Sequence, residues 1–462
     1  MTPIQSDPEV KSAPTDASAP GNARARSWES VRSWESVDVV VAVLAVLYCA
    51  RLWVAHSSVP SARIFHDTHF YLELAESRLF STAVWAGGRA PIPILWFKAC
   101  RLDVETIRRS FDVLSAVSWI ALVYAVSINT VSAWARVLGP VLVFSLALSL
   151  NVLQWNEVVL SESLSHSFFA LFTAAGLMYL RKQGGWAIGF ILLATMLAFS
   201  RDSNAYFVFF SGLLIAVAAT VRFFRGDPWR NQALTALGFV AAFLLSNASE
   251  NAGARWEYSL TNVIVTRVLR DPKALTELKA MGMPVNAGLR PNRPRRAYDT
   301  DPRLESFREW VSARGKRAYV RFLATNPVYT LTTPELSSVI GGDVEQYAPD
   351  GMRGTRTFLD AIWSKKLWLW QLALSVTLGG AAVVLGIRST PVILGVAYAA
   401  LLVPHAVLIW HADSMEVARH GAPVSLQLQL GFLVLLVGVL DALLVRAKRA
   451  SPLPNDALSA PS

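Results

Sequence analysis

Cysteine is nearly absent from the 462-residue chain. The two that occur, Cys49 inside the first apolar run and Cys100 at the edge of the second, exclude a disulfide framework and a cysteine-rich metal centre. Charge is also scarce: Asp, Glu, Lys and Arg make up 16% of residues against 53% hydrophobic, where a soluble domain carries about a quarter charged residues. Most of the chain is therefore expected in lipid. No glycine-rich loop of the kind that cradles nucleotide phosphates is present. The net charge of +10 is spread over loops that flank apolar runs rather than gathered on one helix or tail, which argues against nucleic acid as a partner and for anionic lipid or phosphate.

What the chain has is apolar runs of roughly twenty residues, enough to cross about 30 Å of hydrocarbon. They fall near 38–55, 111–130, 136–152, 162–180, 186–200, 205–221, 232–249, 367–387, 390–410 and 421–445. The fold class expected is an all-α membrane protein, a multi-spanning bundle of about ten transmembrane helices with interfacial helices in its first outer loop and a small extracytoplasmic domain. Residues 1–37, rich in Ser, Ala, Pro and Asp, read as a disordered tail, with Arg26–Val31 repeated directly as Arg32–Val37. No small-residue cleavage pattern follows, so the first run reads as a retained helix.

The short connections carrying Arg181 and Lys182, Arg222 to Arg230, Arg388, and Arg446, Lys448 and Arg449 are basic. The positive-inside rule then puts both termini in the cytoplasm of a multi-pass cell-membrane protein. Residues 38–249 form the membrane core with an outer loop at 56–110. Residues 250–366 form a large extracytoplasmic segment containing Arg290, Arg293, Arg295 and Arg296. Residues 367–445 supply the last spans and 446–462 a cytoplasmic tail. The first outer loop is itself rich in arginine, and Ala90–Lys98 is too short and proline-broken for a crossing, so it reads as a partial or re-entrant helix.

Under this topology the polar chemistry collects on one face. Asp67 sits between His66 and Thr68 at the start of a short amphipathic helix that includes Tyr71. It reads either as an N-cap or as a general base at the lipid–water boundary. Glu157, Glu162 and His166 cluster where ionisable groups are expensive and usually functional. Arg201 and Asp202 share a turn so short that a local ion pair is the simplest reading. The last outer turn holds His411, Asp413, Glu416, Arg419 and His420. Asp413 and Glu416 resemble a capping box, and Glu416, Arg419 and His420 share a helical face. An Arg–His pair gripping lipid phosphate is expected there, with a divalent metal held by His411, Asp413 and His420 as the alternative, although that spacing matches no recognised ligand set. Trp256, Tyr258, Trp310 and Tyr347 are available for sugar stacking.

With these pieces in place the chain resembles the GT-C superfamily of multi-spanning glycosyltransferases, particularly bacterial members related to the dolichyl-phosphate-mannose protein mannosyltransferases. The resemblance rests on Asp67 and Tyr71 in the first loop, Ala90–Trp96 before Arg108 and Arg109, Ser161–Leu164 at a later helix start, and the closing Glu416–His420 turn. It implies inverting transfer of a monosaccharide from a polyprenyl-phosphate donor to a glycan, lipid or protein acceptor on the outer membrane face. Asp67 takes the acceptor proton in that scheme, and Arg201, Arg419 and His420 face the donor phosphate. Many members place two acidic residues together in the first loop; here Glu162 or Glu157, and less readily Glu73, must supply the second. No cofactor is implied beyond the metal alternative. A transporter or flippase of lipid-linked sugars and an outer-face glycan ligase or polymerase are the competing readings. The first would carry internal repeats and mid-span charges, neither of which the sequence displays. The second would centre on 250–366.

Overall fold

The computed structural model describes residues 21–182, 185–291, 298, 300–353 and 357–450. Among them it is helical throughout, with one isolated bridge between Arg63 and Val158 as its extended pairing. Eight helical stretches are long and apolar enough to cross a membrane, nine if one bent pair counts as a single span. The run expected at 186–200 is a helix of only 14 residues, Ala187–Ser200.

In chain order α1 is Gly21–Ser58, α2 His66–Glu76, α3 Pro91–Ala99, α4 Val104–Ile128 and α5 Ala133–Ala147. Next come α6 at Ser161–Lys182, α7 at Ala187–Ser200, α8 at Asp202–Phe224, α9 at Arg230–Ala252 and α10 at Arg255–Thr266. The series closes with α11 at Lys316–Thr325, α12 at Trp368–Val384, α13 at Thr390–Ala412 and α14 at Ala422–Ala450. Helix α1 takes in the doubled segment that composition assigned to a disordered tail.

Burial sorts the spans by place. In α6 the most apolar stretch is 89% buried, against 17% in α1 and 17% in Phe358–Val384. The reason is compositional: α6 opens with serines, glutamate and histidine that need protein partners, whereas α1 presents Val46, Leu47 and Trp53 outward, as suits contact with lipid tails. The central core packs Phe111, Trp119, Phe168, Phe169, Phe172 and Phe207. Between α5 and the short helical stretch Leu150–Glu157 the chain bends by 55°. That bend carries Trp155, Asn156 and Glu157 inward, where all three are buried.

The first loop folds against the spans. Proline at the first position of α3 is compatible with a helix start, where no N–H partner is needed, and Pro91, Pro93, Ile94 and Phe97 are buried. The stretch read as a partial helix is thus a nine-residue helix packed under the loop. Lys98 Nζ donates to the Ala75 and Ser77 carbonyls at 3.0 and 2.8 Å, satisfying the open end of α2. Helix α2 starts at His66 with Phe65 in the cap position, and Thr68 Oγ1 accepts from the Phe65 amide. Asp67 therefore lies in the first turn and is not the cap.

Residues 250–366 divide in two. From α10 to Tyr329 they form a small helical unit outside the spans with its own core of Leu260, Val263, Ile264, Leu278, Phe307, Trp310 and Phe322. After it the chain returns to the bundle, where Val339 and Ile340 pack on Leu402, Ile409 and Val424, and Val344 and Tyr347 pack on Trp155 and Ala422. Arg293, Arg295 and Arg296 lie outside the described residues.

Candidate functional site

The ends of α1, α7, α9 and α13 and the starts of α4, α6, α8, α10 and α14 gather at the loop-bearing end of the bundle. Arg419 is the centre of the charge there. It stands in a four-residue helix, Val417–His420, between α13 and α14. The backbone enters that helix through Glu416 at φ 49°, a left-handed conformation that costs of order 1 kcal/mol for a residue with a Cβ. The chain leaves through Gly421, where any Cβ would collide with the Val339 carbonyl. This close approach fixes the turn against the 334–353 return segment.

From this position Arg419 engages three carboxylates. Nε donates to Glu162 Oε1 at 2.5 Å, Nη1 to Glu416 Oε2 at 2.7 Å and Nη2 to Asp67 Oδ2 at 2.8 Å. Glu162 receives a second guanidinium, with Arg201 Nη1 2.8 Å from the same Oε1, and Arg201 Nη2 lies 3.1 Å from His420 Nδ1. Asp67 also receives a second, Arg89 Nη2 at 2.5 Å. His420 Nε2 lies 3.4 Å from Asp413, and Tyr347 donates its hydroxyl to Glu416 Oε1 at 2.5 Å. Three guanidiniums thus face Asp67, Glu162 and Glu416, and Asp413 adds a fourth carboxylate at the His420 end. Buried pairs of this kind persist when most of their remaining donors and lone pairs are also satisfied; here Arg201 Nη1 meets Glu162 as an ion pair without hydrogen-bond geometry.

Protonation follows from this packing. Burial raises the proton affinity of Asp67, but Arg89 and Arg419 outweigh it and hold the carboxyl below its usual range. Burial disfavours charge on Arg419, yet the Glu162, Asp67 and Glu416 carboxylates more than reverse this and keep it firmly protonated. At His420 burial, with the Arg201 and Arg419 charges, lowers the affinity for a second proton against the pull of Asp413, so the ring is neutral near pH 7. Burial and then Glu416 push Tyr347 upward, and it stays a hydroxyl donor.

Asp67, Glu162, Arg201, Glu416, Arg419 and His420, all singled out from sequence, therefore meet in one place. Tyr71 lines it: buried, it packs on Phe97 and under the Arg89 guanidinium, 5.7 Å from the ring centre. Other residues singled out from sequence lie apart from this cluster or take other partners. His66 is exposed and rests on Phe70. Arg201 and Asp202 do not pair; Arg201 turns to Glu162, while Asp202 takes a bidentate grip from Arg255 at 2.9 and 2.8 Å. Asp413 makes no capping box with Glu416, since its Oδ1 accepts from the Ser414 and Met415 amides. His411 is drawn away, with Nδ1 3.2 Å from the Tyr319 hydroxyl and Nε2 3.0 Å from the Thr330 carbonyl. Both its nitrogens are occupied, so it does not join Asp413 and His420 as a metal ligand. Arg89 is the partner that sequence reasoning passed over; its signal was a cation in a loop where the positive-inside rule disfavours one.

Glu157 belongs to a second cluster with His56 and Asp112, whose ligand-type atoms lie within 4.8 Å of one another. His56 Nδ1 is 2.9 Å from Asp112 and 3.8 Å from Glu157. Arg108 already supplies the cation, with Nη2 2.7 Å from His56 Nε2 and Nη1 3.1 Å from Glu157. Since a guanidinium only donates, Nε2 is the acceptor and Nδ1 carries the hydrogen toward Asp112. That tautomer turns no ring lone pair to the carboxylates, and the residues do not fit a metal. His166 lies in neither cluster, beside Trp155 at 6.1 Å between ring centres.

The arrangement offers a partly exposed carboxylate, held ionised at the boundary of the bundle and backed by fixed cations. Comparison with the known protein families and with curated proteins returns no match to this chain.

Proposed function

We propose that the chain is a membrane glycosyltransferase that moves a monosaccharide from a polyprenyl-phosphate carrier to an acceptor hydroxyl at the outer membrane face. The observation that carries this reading is the bridge Asp67–Arg419–Glu162, which draws an ionised loop carboxylate and two buried arginines into one site at the ends of the spans.

Asp67 acts as the base. Its side chain is 23% exposed and that of its partner Arg89 is 32% exposed, whereas Arg419 is 7% exposed and fixed. An incoming acceptor hydroxyl displaces Arg89 rather than Arg419, which relieves one of the two charges that depress the basicity of Asp67. The acceptor oxygen then forms its bond to the anomeric carbon as the carbon–oxygen bond to phosphate breaks, with inversion. The acceptor proton passes to Asp67, and the carrier leaves as its phosphate. The displaced Arg89 is free to meet the negative charge growing on that phosphate, as a preorganised cation does in transition-state stabilisation. Glu162, enclosed by Arg201 and Arg419 and 1% exposed, positions Arg419 and takes no proton. Glu157 has no part in this site.

The test is transfer of radiolabelled sugar from a panel of polyprenyl-phosphate donors by purified protein in lipid, comparing wild type with Asp67→Asn and Glu162→Gln. Turnover by wild type and loss of at least 100-fold in a folded Asp67→Asn protein is expected for removal of a general base. A fully active Asp67→Asn protein defeats the assignment of the base. If no donor is turned over, the function itself falls and lipid-linked sugar flipping in vesicles becomes the competing assay.

A further inference from the structure

The turn between α8 and α9 lies at the end of the bundle opposite the Asp67 network, since α8 starts and α9 ends on the loop-bearing side. Its shape is set locally. The Gly226 amide donates to the Phe223 carbonyl at 3.1 Å and the Asp227 amide to the Arg222 carbonyl at 3.0 Å, the paired bonds of a helix end closed by a left-handed residue. Gly226 takes that conformation at φ 73°, which a Cβ would disfavour. Pro228 follows and cannot resume the helix in register. Arg222 Nη1 donates to the Pro228 carbonyl at 3.3 Å, and Phe223 meets Trp229 edge-on at 5.4 Å between ring centres. The turn is therefore preformed, with its backbone tied on both sides.

Two clefts open on it. One, of about 360 Å³, is lined by residues 226–232, among them Asp227, Arg230, Asn231 and Gln232. The other, of about 290 Å³, runs along the first turns of α9 between Trp229, Arg230, Ala233, Leu234 and Leu237. Trp229 and Arg230 line both, so a polar chamber passes directly into an apolar groove. Leu234 and Leu237 share one face of α9 at a spacing of three and are 61% and 65% exposed. Leu244 and Leu245 continue that exposed face along the same span, so the groove is continuous with the surface that α9 turns to lipid. Charge at the turn is one-sided. Asp227 is the one acid between Asp202 and Glu250, against Arg222, Arg225 and Arg230. Arg225 and Arg230 are exposed and make no ion pair among the described residues.

We propose that this turn binds one anionic phospholipid, with its headgroup in the polar cleft against Arg225 and Arg230 and an acyl chain in the groove of Leu234 and Leu237. Each half of the site excludes a simpler ligand. A free phosphate compound would use the polar cleft and leave the groove idle. A zwitterionic phospholipid would fill the groove but bring no net charge to the surplus of cations. The polar cleft has the size of a small ligand site, at the lower end of roughly 300–1,000 Å³, as suits a headgroup. Trp229 stands at the join, where an indole bridges the headgroup and acyl regions. A lipid held there anchors one end of the α8–α9 hairpin. The other end meets the first loop, where Ser249 bonds the Trp85 carbonyl. The site is independent of the transfer reading and takes no part in that chemistry.

The experiment is native mass spectrometry of the full chain in detergent micelles, titrated with phosphatidylglycerol or phosphatidylcholine and challenged with glycerol 3-phosphate. Wild type is expected to bind one phosphatidylglycerol at least tenfold more tightly than phosphatidylcholine. Arg225→Gln combined with Arg230→Gln should bring the two lipids within about twofold of each other, at about fivefold for each arginine near an anionic lipid. Leu234→Gln combined with Leu237→Gln should weaken both lipids and leave their ratio unchanged. Both arginines are exposed, so the double variant should melt with wild type when no lipid is added. Lys448→Gln combined with Arg449→Gln removes the same charge at the end of α14 and should leave the preference intact. Three results overturn the proposal: equal affinity of wild type for the two lipids, loss of the preference in the α14 variant as large as in the arginine pair, or displacement of phosphatidylglycerol by an equal concentration of glycerol 3-phosphate. The first shows no selection for charge, the second a diffuse surface effect, and the third a site for free phosphate compounds.

Discussion

Glu162→Gln isolates the charge at the centre of the network, because the amide keeps the shape and the acceptor oxygen and removes only the negative charge. In the native site Arg419 Nε at 2.5 Å and Arg201 Nη1 at 2.8 Å share Glu162 Oε1, so the two guanidiniums stand close together and need that carboxylate between them. Arg419 keeps Asp67 and Glu416 after the substitution; Arg201 keeps only the neutral His420. Breaking a buried pair by removing one partner costs about 3–5 kcal/mol, and the surviving partners of Arg419 place the expected loss at the lower end, about 3 kcal/mol. Reversible denaturation in mixed micelles measures it. The double variant Glu162→Gln/Arg201→Gln removes the stranded cation as well, so it should recover more than 1 kcal/mol relative to the sum of the single changes, a coupling typical of residues in one network. A Glu162→Gln protein within about 0.5 kcal/mol of wild type, or strictly additive single and double variants, would refute a charge-centred role for Glu162.

Three further outcomes follow from the same contacts. The Asp67 carboxyl has its folded pKa below the usual range, so it releases its proton more readily folded than unfolded. Its contribution is then complete above the ordinary carboxylate pKa of about 3.9 and is lost as pH falls through the lower folded value; acid titration of stability should show a shallower acid limb in Asp67→Asn than in wild type. Asp441, buried near the far end of α14, accepts from the Val131 amide at 3.1 and 3.0 Å and from the Ser132 amide at 2.6 Å. Asp441→Ala removes the acceptor of both amides at a part-exposed turn and should cost about 1–3 kcal/mol in the same denaturation assay, at roughly 0.5–1.5 kcal/mol for each hydrogen bond lost. Arg255 bonds Asp202 and donates to the Gly87 and Ser249 carbonyls at 3.2 Å each, tying α10 to α8, α9 and the first loop. Arg255→Met should raise amide hydrogen exchange in residues 255–329 while leaving α4 and α6 protected.

The spans were legible because lipid leaves few alternatives: a run of twenty apolar residues must be a helix with its backbone bonds made internally. Their number blurred where that rule weakens. Ala187–Ser200 is too short to qualify by length, and the run expected at 136–152 is interrupted at Leu148 and Ser149 by the bend that delivers Trp155 and Glu157 to the interior. Within the site, ionisable residues at helix ends identified Asp67, Glu162, Arg201, Glu416, Arg419 and His420, since a charge near lipid needs a reason to be there. Pairing was not legible. Local spacing argued for Arg201 with Asp202 and for Asp413 with Glu416, yet each found a partner elsewhere: Asp67 and Arg419 lie 352 residues apart, and no periodicity records which helix ends will meet.

Lys365 was invisible for a related reason. In the sequence it is one of two adjacent lysines, Lys365 and Lys366, ahead of an apolar run, the usual signature of residues that reach for the membrane surface. The turn at Ser364–Leu367 separates them: Lys366 is exposed and Lys365 is buried. A basic pair at a helix start therefore carries two physical meanings at once, and only the rotation set by the turn decides which lysine is solvated and which is left without a counter-charge. The same logic applies to the buried cations at this end of the bundle. Where fold and sequence supply a carboxylate, as for Arg89, Arg201 and Arg419, the cation organises the protein. Where no carboxylate is in contact, as for Lys365, nothing offsets the cost of burying the charge.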